Sequence, residues 1–289
     1  MNPNNGSEVM SLSSPQPAKT NLLAVASGKG GVGKTWFSVT LSHALAFSGE
    51  RILLFDGDVG LANVDIQLGL SPKHDLGSVL SGRIGLREAI MGVDGGAAEA
   101  GSAGGFDVLA GKSGSGALAD MAPSEIERLR EGLRVLSRGY DRVVVDLAAG
   151  IGREVRSLCT LGGPVLVVVT DEPTSLTDAY ALVKMLTQRA RGLDLRVVVN
   201  LAANLAEGER TYEGFARACQ HFLDVKLPLL GVVRRDPKIR ETIRNQVPLF
   251  RRYPQSEAAG DVVAIARALK AEQSLDAAPD RQESEAGQV

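Results

Sequence analysis

Two lysines stand among four glycines in one short stretch, Ser27-Gly28-Lys29-Gly30-Gly31-Val32-Gly33-Lys34-Thr35, which directly follows the apolar run Leu22 to Ala26. Gly28, four intervening residues and then Gly33-Lys34-Thr35 satisfy the pattern G-x-x-x-x-G-K-[ST]. In such a loop backbone N–H groups curl around a phosphate, and a helix opens toward it with its N-terminus. Lys34 then neutralises the β- and γ-phosphates of ATP, and Thr35 offers its hydroxyl to Mg2+. The expected ATP-binding residues of the loop are Gly28, Lys29, Gly30, Gly31, Val32, Gly33, Lys34, Thr35 and, by its place in the first helical turn, Trp36. The Trp36 ring itself follows helical spacing and reads as core.

Carboxylates complete the chemistry. The run Ile52 to Phe55 delivers Asp56-Gly57-Asp58, and Val143 to Val145 delivers Asp146. An aspartate that closes an apolar strand can simply start a turn or cap a helix. Beside a phosphate loop it gains a second use, because Mg2+ takes hard oxygen ligands and keeps several waters. Asp146 is therefore expected to hold the metal mainly through water, with Thr35 also at the metal.

Those residues need a scaffold. The runs Ile52 to Phe55, Val143 to Val145, Val165 to Val169 and Val197 to Val199 are apolar on both faces and rich in β-branched residues, as central strands of a parallel sheet are. Helical spacing separates them around Trp36 to Phe47, Ser124 to Arg138, Ser175 to Ala190 and Glu207 to Phe222, the last carrying the stripe Tyr212, Phe215, Cys219, Phe222. Alternation of this kind predicts an α/β fold: a doubly wound, mostly parallel sheet with helices on both faces. Ligands of such sheets gather at the carboxyl ends of the strands, where the loop and all three aspartates fall. The Gly- and Ala-dominated segment from Gly92 to Gly105 reads as a surface excursion before a strand at Phe106 to Ala110.

Composition sets the remaining bounds. The 289 residues suffice for one large α/β domain, expected over 21–271, with polar disordered tails over 1–20 and 272–289, the second acidic. Lysine plus arginine (32) and aspartate plus glutamate (34) nearly cancel, so no global field favours nucleic acid. The two cysteines, Cys159 and Cys219, are far apart and form no C-x-x-C pair, which fits a reducing compartment and excludes a cysteine-held cluster. No run approaches the roughly 20 apolar residues of a spanning helix, and a cytoplasmic location is expected.

Lys29 extends the loop to K-G-G-x-G-K-[ST], and here the chain resembles the MinD/ParA family of P-loop ATPases over essentially residues 22 to 270. The resemblance implies an ATP-dependent homodimer in which Lys29 reaches the partner subunit's ATP. It also makes Asp58 the residue that orients the attacking water, with Asp56 in support as a metal-site residue that helps organise the Mg2+ and Lys29. Gly60, Asn63 and Asp65 in Gly60-Leu61-Ala62-Asn63-Val64-Asp65, and Ala149 and Gly150 in Asp146-Leu147-Ala148-Ala149-Gly150, resemble the family's two switches. Asn200 sits where relatives read adenine, and Arg234 and Asp236 lie where relatives carry a Gly-Val-Ile-Pro-x-Asp loop, here without its proline.

One branch matches best. Thr170-Asp171-Glu172-Pro173-Thr174-Ser175-Leu176-Thr177-Asp178-Ala179-Tyr180 resembles the FlhG/FleN regulators of flagellar number. For that branch the implied partners are an AAA+-type flagellar transcriptional activator, an FlhF-type GTPase and C-ring proteins, with a cytoplasmic, polar or inner-membrane-peripheral location. Two family elements have no counterpart: a basic amphipathic membrane helix at the C-terminus, and the string D-Q-A-x-x-L-R within residues 1–21. Residues 261–270 read as the last helix of the fold, and membrane association is expected to be weak or absent. The alternative is a ParA/MinD-type ATPase that positions DNA, division machinery or another cargo. Its DNA-facing candidates are Arg234, Arg235, Lys238, Arg240, Arg244, Arg251 and Arg252, and nucleic acid is the less expected partner.

Overall fold

The computed structural model describes residues 20–58, 62–74, 76–94, 96, 104–111, 121–190 and 192–277. Among them eight strands form one sheet in the order β3-β4-β2-β5-β1-β6-β7-β8. The strands are β1 (Leu22–Ser27), β2 (Ile52–Gly57), β3 (Ile90–Val93), β4 (Phe106–Leu109), β5 (Arg142–Ala149), β6 (Val165–Val169), β7 (Leu195–Ala202) and β8 (Leu229–Arg234). All neighbours run parallel except β3, which lies antiparallel on β4 at the edge. The edge strand takes in Gly92 and Val93, so the segment expected as a surface excursion begins as sheet. Its residues 95, 97–103 and those after Gly111 up to 120 fall outside the described part, as do 1–19 and 278–289, where the tails were expected.

The helices are α1 (Lys34–Phe47), α2 (Val64–Leu68), α3 (Leu76–Leu80), α4 (Pro123–Ser137), α5 (Arg153–Leu158), α6 (Pro173–Arg189), α7 (Leu205–Leu223), α8 (Pro237–Asn245), α9 (Leu249–Arg252) and α10 (Glu257–Ala277). Alternation along the strands sends side chains into two cores. Leu22, Ala24 and Ala26 of β1 pack with Leu129 and Leu133 of α4, Leu182 of α6 and Phe215 of α7. Leu23 and Val25 pack on the other side with Phe37 and Leu41 of α1 and Val262 and Leu269 of α10. Burying each such Leu, Val or Phe is worth about 1.5–3 kcal/mol, so the two cores hold the helix layers on both faces of the sheet.

Residues 261–270 are indeed the last helix of the fold, their Val262, Ile265 and Leu269 buried against α1 and β8. That helix runs on to Ala277, past the boundary expected at 271. The stripe on α7 is only half core: Phe215 and Cys219 are buried, whereas Phe222 is 70 % exposed. Burial pushes the thiols up, to about 12 for Cys159 and about 11 for Cys219, so both are inert neutral side chains. No helix among the described residues is long and apolar enough to cross a membrane.

Candidate functional site

Strand β1 ends at Ser27 and the chain turns through the glycine loop into α1. Gly31 and Gly33 take φ values of +83° and +82°, the left-handed region that side-chain-bearing residues avoid, and Gly33 is the N-cap of α1. Gly28 is needed for a different reason: a Cβ there would lie 2.1 Å from the backbone carbonyl carbon of Asp178, so the loop lies directly on α6. The loop is tied internally, Ser27 Oγ donating to the Lys29 carbonyl at 2.9 Å. The Gly150 N–H donates to the Ser27 carbonyl at 2.8 Å, which brings the expected switch residues Ala149 and Gly150 alongside the loop.

The two lysines of the loop differ sharply. Lys34 is buried, 6 % exposed, and its Nζ donates to Asp146 Oδ1 at 2.9 Å. Lys29 is 35 % exposed and points across the surface to α6, donating to Glu172 Oε2 at 2.7 Å and to Thr174 Oγ1 at 2.8 Å. The ammonium holds the Glu172 carboxyl below the usual range.

Asp146 is fully buried on β5, and Ser38 Oγ of α1 donates to the same Oδ1 at 2.9 Å. Ser38 was not singled out in the sequence; its spacing of one helical turn from Lys34 is the signal that marks it. Asp146 Oδ2 is buried without a hydrogen-bond partner. A buried, unpartnered carboxylate oxygen beside the phosphate loop is the acceptor that a Mg2+-bound water requires, and Thr35 is half-buried in the first turn of α1. These residues fit Mg2+ held through one carboxylate, a hydroxyl and substrate phosphates.

Asp56 is Asp146's register partner across the β2–β5 pair. Its Oδ1 accepts the N–H of Asp58, and its Oδ2 accepts those of Asn63 and Val64, each at 3.1 Å. Burial, and then the neighbouring Asp146 carboxylate, push its pKa up to about 7, against the pull of the three N–H donors. Three of roughly four acceptor positions are thus spent on backbone. Asp56, expected at the metal, also anchors the N-terminal end of α2 through these bonds. Asp58 is half-buried at the exit of β2, and Asp65 lies in the first turn of α2. Gly60 falls outside the described residues.

The three residues expected at the base all have partners within the protein. Asn200 is fully buried beneath the loop, and its Nδ2 donates to the Val32 carbonyl at 2.8 Å, leaving Oδ1 unpartnered. The amide therefore supports the loop from below. Arg234 is committed to α10: its backbone N–H, Nε and Nη2 bond Asp261 at 2.8–3.0 Å and Nη1 bonds Glu257 at 2.5 Å. With no proline at this position, the arginine staples β8 to the last helix. Asp236 is the N-cap of α8, its carboxylate accepting the Lys238 N–H. Trp36 is 5 % exposed and belongs to the core on the α1 side of the sheet, as its spacing predicts.

A glycine loop at the C-terminal edge of a doubly wound parallel sheet, with an invaginated lysine on a buried aspartate, defines a P-loop ATPase of the MinD/ParA type. Residues 23–249 match the family model described as the CobQ/CobB/MinD/ParA nucleotide binding domain, and the chain belongs to that family. It is 38 % identical over 246 residues to the antiactivator FleN of Pseudomonas aeruginosa, covering 85 % of each chain. It is 30 % identical to the flagellum site-determining protein YlxH of Helicobacter pylori, covering 86 % of this chain and 82 % of the relative. Among solved structures it is similar to the cell division ATPase MinD of Pyrococcus furiosus, with a TM-score of 0.67, 26 % identity and coverage of 87 % and 98 %.

Proposed function

We propose that this protein is an ATP-dependent dimerising switch that limits the number and placement of flagella. The observation that carries the switch is the opposite exposure of its two loop lysines, 6 % for Lys34 and 35 % for Lys29. Lys34 serves its own nucleotide from within. Lys29 lies at the surface, where a second subunit's phosphates can compete with Glu172 and Thr174 for the ammonium. A cation delivered in trans to a transferring phosphoryl group is worth several orders of magnitude in rate.

Within one subunit the loop glycines offer N–H groups to the phosphates, and Lys34 leaves Asp146 to neutralise them. Asp146 and Thr35 would hold Mg2+, which supplies a charge clamp on the phosphate oxygens when bound. Asp58 orients the attacking water, and Asn63, Asp65, Ala149 and Gly150 respond to the γ-phosphate. The products are ADP and phosphate, and the dimer then relaxes to monomers.

The flagellar role is supported by the two relatives named FleN and YlxH. An antiactivator acts on an activator, so the partner proposed first is a flagellar transcriptional activator of the AAA+ type. An FlhF-type GTPase and C-ring proteins follow from the same branch, and the segment after Thr170 on α6 is the candidate partner surface. A DNA-positioning role loses three of its seven basic candidates to local pairing: Arg234 with Asp261, Arg251 with Asp94 and Arg252 with Glu241. The test is a count of flagella per cell in a deletion strain complemented with wild type or Lys34→Ala. Excess flagella corrected only by wild type supports the proposal; an unchanged count contradicts it.

A further inference from the structure

Helix α2 lies between two parts of the molecule that the proposed reaction must keep in register. At its N-terminal end the N–H groups of Asn63 and Val64 are held by Asp56 Oδ2. At its C-terminal end the Ile66 carbonyl accepts a hydrogen bond from Gln246 Nε2 at 2.9 Å. Gln246 caps α8 in the left-handed conformation with φ +53°, where glycine or asparagine is the ordinary choice. Its backbone and Cβ lie so close to α2 that a Cβ on Gly69, the left-handed cap of that helix, would stand 3.2 Å from the Gln246 Cβ. Trp36, the residue after Thr35, lines a small cavity between α1, α2 and α8 together with Gln67 and Thr242, and its indole N–H is buried and unpartnered.

Gln246 thus combines a disfavoured backbone conformation with an exposed amide bond that reaches 180 residues along the chain and ties α8 to one carbonyl of α2. We infer that Gln246 is a positioning residue for ATP hydrolysis: by fixing the far end of α2 it sets the angle at which α2 leaves Asp56, and so the placement of Asp58. Trp36 lines the joint through which α1, carrying Lys34 and Thr35, meets that strut. The inference rests on the assignment of Asp58 to the attacking water.

Two substitutions separate position from stability. Gln246→Gly removes the amide and relieves the left-handed backbone, so its thermal midpoint should stay level or rise. Gln246→Glu keeps the side-chain length but sets an acceptor against the Ile66 carbonyl, so its midpoint should fall. Both should lower kcat by about ten- to a hundredfold, as a misplaced reacting group does, with KM for ATP within about threefold of wild type. The chain has a single tryptophan, so emission reads the joint without labelling. The change in Trp36 emission that Mg-ATP produces in wild type should shrink in both variants. Wild-type kcat in both variants, or kcat that follows the thermal midpoint, overturns the inference. Absence of turnover in wild type overturns the ATPase reading beneath it, a separate outcome.

Discussion

The phosphate side and the base side of the site are built on different principles. On the phosphate side each residue type is dictated by the chemistry: glycines at φ +83° and +82°, a lysine on a buried aspartate, a hydroxyl at the first turn. On the base side the corresponding residues are engaged elsewhere: Asn200 holds up the loop through the Val32 carbonyl, Arg234 staples β8 to α10, and Asp236 caps α8. Charge on a polyphosphate must be met by a fixed set of donors. An adenine edge is met equally well by backbone groups, which leave no mark on residue identity. The residue types on the phosphate side are thus set by the ligand's charge, whereas on the base side the named residues also carry structural bonds.

Breaking the phosphate side should cost most. Lys34→Ala is expected to abolish measurable ATP binding by calorimetry. It also strands Asp146 as a buried charge, a change that typically costs 3–5 kcal/mol and should appear as a lowered thermal midpoint. Lys29→Ala touches only an exposed pair, so binding and midpoint should hold while turnover falls by about a thousandfold in a steady-state phosphate assay. A Lys29→Ala protein of wild-type rate would remove the trans-acting role.

The base side should respond the other way round. Arg234→Ala is expected to lose stability, on the order of 1–3 kcal/mol from a part-buried charged network, with KM for ATP moving less than about threefold. If KM rose tenfold at unchanged stability, the arginine would belong to the nucleotide after all.

Acidification tests how α1 is packed against β4 and α9. His43 of α1 stacks on Phe47 and meets Phe106 and, edge-on, Phe250 of α9, with Asp94 and Arg251 facing it. Burial, partly offset by Asp94 and reinforced by Arg251, lowers its pKa from 6.5 to about 4. The unfolded chain thus binds more protons between those values, and stability falls as pH drops through that window. Acidification from pH 7 to 5 should cost wild type about 2 kcal/mol more than His43→Phe in denaturant titrations.

How far the sequence reaches follows the same division. The strand cores of β1, β2, β5, β6 and β7 and the helices α1, α4, α6 and α7 are legible because long apolar periodicity leaves few alternatives. The edge strand β3 and the short helices α2, α3, α8 and α9 are not, since four to nine residues carry too little period and are shaped by their neighbours. Lys34 and Asp146 are legible from spacing alone. The Asp56 bonds to α2 are not, because backbone donors have no sequence signature, and the loss of the usual proline before Arg235 gave no sign that Arg234 would turn to Asp261.

The central claim is that ATP, and not ADP, joins two copies and that Asp58 is needed to part them. Its most direct test is the solution mass of Asp58→Ala by light scattering with saturating Mg-ATP and with Mg-ADP. A dimer with ATP and a monomer with ADP is the predicted result. Equal dimer fractions with the two nucleotides would contradict the switch.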